Sequence, residues 1–63
     1  MDNTLEVLVK QCQSKCLQLT DALVDGVAKD YAEYRAMCGE IRGLLTAQLY
    51  INDLAKRMEK SDE

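Results

Sequence analysis

The stretch Gly26-Val27-Ala28-Lys29-Asp30-Tyr31-Ala32-Glu33 decides how this chain folds, because it interrupts an otherwise helical pattern. Gly26 suits the left-handed position that follows a helix end. Asp30 is placed to cap a new helix, and Glu33, three residues on, completes a capping box. A short connection makes two helices antiparallel neighbours. The expected fold is all-α, an antiparallel two-helix hairpin. Helix one is expected over about 4–25, the turn over about 26–30 and helix two over about 31–60. A single bent helix is the competing reading, since Gly26 is the one strong breaker in the region.

Upstream of the break, Asn3 can cap helix one, with Glu6 at the matching box position. Leu5, Leu8, Cys12, Cys16, Leu19, Leu23 and Val27 then recur at steps of three or four, which defines one helical face. Val9 widens it. Val7, Leu17 and Val24 lie off it, and Lys10, Gln13, Ser14 and Asp21 form the wet side. Downstream, Tyr34, Met37, Ile41, Leu44, Gln48, Ile51, Ala55 and Met58 alternate steps of three and four. That is heptad spacing, which favours left-handed supercoiled packing. Cys38, Leu45, Leu49 and Leu54 flank the seam. Gln48 interrupts it and suits a register-setting role. The polar end, Ser61-Asp62-Glu63, is expected to fray.

The chain has 63 residues, 48% hydrophobic and 30% charged, with no proline. A chain this short buries only about 60% of the surface its unfolded form exposes, which leaves stability marginal, and the usual aids are disulfides, a metal or association. Here the apolar arc of each helix is wider than the stripe that one neighbour can cover. Leu17, Val24, Leu45, Tyr50 and Leu54 would stay exposed on an isolated hairpin. Burying a leucine-sized side chain stabilises by about 1.5–3 kcal/mol, so a few of them decide the association state. The expected completion is a helical bundle, made by self-association into a homo-oligomer or by docking on a larger protein.

Net charge is −3, from eight basic and eleven acidic residues, and no basic face suits nucleic-acid phosphates. No apolar run approaches the roughly 18 residues of a membrane span, and Met1-Asp2-Asn3-Thr4 lacks a basic signal-peptide start. Neither a membrane nor a nucleic acid is therefore an expected partner. An RNA-binding four-helix dimer remains an analogy of architecture only. The expected setting is intracellular or inside a particle, where thiols stay reduced.

The chemistry of catalysis is missing. Histidine is absent, which excludes Ser-His and Cys-His nucleophile pairs. Acid pairs such as Glu33 and Glu40 lie on helix surfaces without a cleft to tune them. Cys12 and Cys16 share a face, but with Cys38 they leave a thiolate metal site one ligand short. They read as small apolar residues, with one interhelical disulfide as the alternative. Lys56, Arg57 and Lys60 suit the negative end of the helix dipole. Tyr31, Tyr34 and Tyr50 read as packing residues. The expectation is a non-enzyme with no cofactor and no metal.

The remaining feature is Cys38-Gly39-Glu40-Ile41-Arg42-Gly43-Leu44-Leu45. Each glycine inside a helix costs about 0.8–1.0 kcal/mol relative to alanine, so two of them call for a compensating gain. Gly39, Gly43 and Ala47 are spaced by four, away from the seam. They would form a groove for the close approach of another backbone, with Arg42 at its rim for a carboxylate. The alternative is that they merely bend or loosen the helix.

That stretch, with Tyr31-Ala32-Glu33-Tyr34-Arg35 before it and Ile51-Asn52-Asp53-Leu54-Ala55-Lys56-Arg57 after it, resembles a group of short tailed-bacteriophage proteins encoded among head and portal genes. The likeness covers roughly the second half of the chain. It implies a structural or assembly protein of a virion, in the particle or the host cytoplasm, with itself or a larger virion protein as partner. A phage-encoded inhibitor or regulator of a host protein is the alternative. The expected interaction residues are Tyr34, Met37, Gly39, Ile41, Arg42, Gly43, Leu44, Ala47, Ile51, Leu54 and Met58.

Overall fold

The computed structural model describes residues 3–61, which form two helices, α1 (Asn3–Val24) and α2 (Tyr31–Ser61). They pack against each other as a hairpin, so the bent single helix is excluded. Gly26 breaks the chain with φ of 74°. Around it, Val27 N–H donates to Ala22 O and Gly26 N–H to Leu23 O, both at 3.1 Å. These are the paired bonds of a Schellman ending, which satisfy carbonyls that the helix itself leaves open. At the other side of the turn, Glu33 N–H donates to Asp30 Oδ1 at 2.8 Å, the expected cap of α2.

Three details differ from the sequence reading. Helix α1 takes in Asn3 itself, so any cap of α1 lies outside the described residues. Val27 leaves the helical face, because the reversal at Gly26 carries it into the connection, where it is 56% exposed. Leu8 also leaves that face, while Val9 is half-buried on it. The covered stripe of α1 is Leu5, Val9, Cys12, Cys16, Leu19 and Leu23. These alternate steps of four and three, which keeps them aligned with the heptad seam of α2. The fraying expected of Asp62 and Glu63 falls outside the described residues.

On α2 the seam residues Met37, Ile41, Leu44, Gln48 and Ile51 are half-buried against α1, and Ala55 is buried. Gln48 Nε2 donates to Cys16 Sγ at 3.7 Å and fixes the register. Thr20 and Thr46 sit inside helices, and each hydroxyl donates to the carbonyl four residues back, Cys16 O and Arg42 O, at 2.9 Å. The result is a rod of 51 × 16 × 12 Å. Its radius of gyration of 14.9 Å exceeds the about 10.6 Å of a compact domain of this length.

Candidate interaction surface

The interior is thin. Among the described residues only Leu19 and Ala55 are buried. The chain exposes 4982 Å², against about 4,100 Å² for a compact monomer of 7.1 kDa. Two helices form one layer, and a layer covers a stripe of each helix but not its flanks.

Helix geometry sorts those flanks. Cys16 and Gln48 face each other. An antiparallel pair has a two-fold axis normal to its plane, so equal rotations from the facing residues lead to the same broad face. At 100° per residue, Leu17 on α1 and Leu45 and Leu49 on α2 all turn to one face, by about 60–100°. At 1.5 Å per residue the three lie within about 6 Å of one another along the rod. They are 63%, 51% and 68% exposed. Val24, Tyr31 and the half-buried Cys38 extend the same face towards the turn. Gln13 turns to the same face as Leu45, and Thr20, Asn52 and Arg42 lie at its margins.

The opposite face carries Leu8, Leu54 and Met58, each a little over two-fifths exposed. They sit near the open end of the hairpin. Half-buried Ala47 turns to the same side. Gly39 and Gly43 point away from α1, and a Cβ built on either meets nothing within 4 Å. The groove is therefore open, and nothing within the hairpin requires glycine there. Of the residues expected to make contacts, Met37, Ile41, Leu44 and Ile51 are engaged against α1. Tyr34, Gly39, Arg42, Gly43, Leu54 and Met58 are exposed. Leu17, Leu45 and Leu49 are not among the residues expected to make contacts: the sequence marks Leu17 and Leu45 as left exposed on an isolated hairpin, and Leu45 and Leu49 as flanking the seam.

The chemistry of the surface is sparse. The thiols of Cys12, Cys16 and Cys38 are free and half-buried, and no cluster of metal ligands occurs among the described residues. Tyr34 stacks on Tyr31 with ring centroids 6.2 Å apart. Hydrogen bonding to the Cys38 side chain, with the charge of that thiol second, pushes the Tyr34 pKa above its ordinary value. Tyr34, Arg35, Cys38, Gly39 and Arg42 line an open depression of about 260 Å³, shallow and formed by one helix. Arg57 pairs with Asp53 at 3.5 Å in full solvent, a contact worth about 0.3–0.5 kcal/mol. No described helix is long and apolar enough to cross a membrane. Comparison of the chain with protein-family models, curated proteins and solved structures finds no match.

Proposed function

We propose that the protein is a non-catalytic assembly element, a helical hairpin whose function is to pack its exposed faces against another protein surface. The supporting observation is the imbalance between the two side chains buried among the described residues and the wide apolar flanks left in water. Such flanks are stabilised by association, and helix-on-helix packing is the geometry they fit. The depressions among the described residues, beside Tyr34 and Arg42 and beside Tyr50 and Lys56, are open to solvent. The setting proposed is a tailed-phage particle, and it rests on the likeness carried by Cys38-Gly39-Glu40-Ile41-Arg42-Gly43-Leu44. Quantitative mass spectrometry of purified particles tests it: the chain should be present at a fixed ratio to the major head protein. Absence from particles, with recovery in a stoichiometric complex with a host protein, would move the role to a host-directed factor. A stable monomer with no companion in either fraction would overturn the assembly reading itself.

A further inference from the structure

The partner can be specified further, on the basis of that assembly reading. We infer that the hairpin pairs with a second copy of itself, antiparallel and two-fold, through the face carrying Leu17, Leu45 and Leu49.

Three observations converge on this occupant. The first is area. The surface in excess of a compact monomer is about 900 Å², and a stable interface removes about 800 Å² from each partner. One copy of equal size therefore satisfies the excess, and a large host surface is not needed. The second is position. Residue 46 is the midpoint of α2 (Tyr31–Ser61), and Leu45 and Leu49 straddle its neighbourhood. A two-fold axis through this patch lets two rods overlap along nearly their full 51 Å. An axis through Leu8, Leu54 and Met58 would overlap only the open ends.

The third is charge. Residues 21–40, around the turn, carry five acids (Asp21, Asp25, Asp30, Glu33, Glu40) and two bases (Lys29, Arg35), a net of −3. The segments that lead to the two chain ends, 1–10 and 53–63, carry six acids (Asp2, Glu6, Asp53, Glu59, Asp62, Glu63) and four bases (Lys10, Lys56, Arg57, Lys60), a net of −2. A parallel pair would set two −3 ends side by side. An antiparallel pair sets each −3 turn beside the less acidic end, which carries Lys10 and Lys56, and this favours the antiparallel orientation. In that arrangement Leu17 meets its own copy near the axis. Leu45 of one chain meets Leu49 of the other, and Leu49 meets Leu45, as an isologous contact requires.

The cross-pairing gives the test. Sedimentation equilibrium of the purified chain is expected to give the mass of two chains, where one is 7.1 kDa. Leu45→Lys alone and Leu49→Glu alone should each weaken the dimer about 30-fold, the effect of a central hot spot. Combining L45K with L49E puts opposite charges across both contacts and should bring the dimer back to within a few-fold of the original. Helix content by circular dichroism should stay constant throughout, since both positions are more than half exposed on the hairpin. A double variant that stays dissociated while either single one dissociates overturns the antiparallel contact. A single-chain mass for the unaltered protein at every concentration overturns self-pairing altogether. If that single chain is still found in particles at a fixed ratio, the assembly reading survives and only the choice of partner falls.

Discussion

Gln48 donates from Nε2 to the sulfur of Cys16 at 3.7 Å, joining residues 32 apart in sequence across the helix pair. It is the polar contact in an otherwise apolar seam. A polar residue at such a position fixes register at a cost in stability. Gln48→Leu is therefore expected to raise the stability of the hairpin by about 1 kcal/mol, read from the urea midpoint. It should also permit slipped pairing, visible as a second set of amide resonances. A loss of stability would show that the sulfur contact contributes more than apolar packing at the same place.

The turn is held by backbone chemistry, and its two ends should respond separately. Gly26 has φ of 74°, and a Cβ there would meet nothing within 4 Å. Gly26→Ala should therefore cost about 1–2 kcal/mol from the left-handed backbone alone, with no steric contribution. Asp30→Ala removes the acceptor for Glu33 N–H and should cost about 0.5–2 kcal/mol. Asp30→Asn keeps that acceptor and should recover most of the loss. Thermal unfolding of the three variants checks both values, and equal losses for the alanine and asparagine variants would exclude the cap.

These two positions were also the most legible in the sequence, for a physical reason. Caps and left-handed turns need particular residue types at fixed offsets, so Gly26, Asp30 and Glu33 announce themselves without tertiary context. The α2 seam was legible too, because a strict alternation of three and four admits one stripe. The choice between Leu8 and Val9 was harder, since both fit steps of three or four. Only the regular alternation through Leu5, Val9, Cys12, Cys16, Leu19 and Leu23 separates them. The exposed face was hidden for another reason. Leu17 and Val24 are seven apart, as are Tyr31, Cys38 and Leu45, but these two rows share a face only once Cys16 is known to oppose Gln48.

Tyr34 gives a prediction in pH. Its pKa is raised, first by hydrogen bonding to the Cys38 side chain, so the folded chain holds the phenolic proton more tightly than the unfolded one. The resulting stability is fully present below the ordinary tyrosine value of 10.0 and is lost as pH rises through the raised value. Cys38→Ala removes the largest cause. The urea midpoints of the two proteins, compared from neutral to strongly alkaline pH, should therefore converge as Tyr34 ionises. A constant difference across that range would exclude the Tyr34–Cys38 linkage.

Gly43 separates the stability of the hairpin from its docking. A Cβ at this position meets nothing within 4 Å, and the residue lies inside α2. Gly43→Ala should consequently stabilise the hairpin by about 0.8–1.0 kcal/mol, the helical preference of alanine over glycine. The same substitution leaves the Leu17, Leu45 and Leu49 face untouched, so the two-chain mass should persist. Gly43→Leu should also leave that mass intact, yet fill the groove formed with Gly39 and Ala47. If the groove receives the backbone of a larger particle protein, the leucine variant should be lost from purified particles while the alanine variant is reduced less. Incorporation of both variants at the ratio of the unaltered chain would remove the groove from the contact surface and leave the glycines without a structural account.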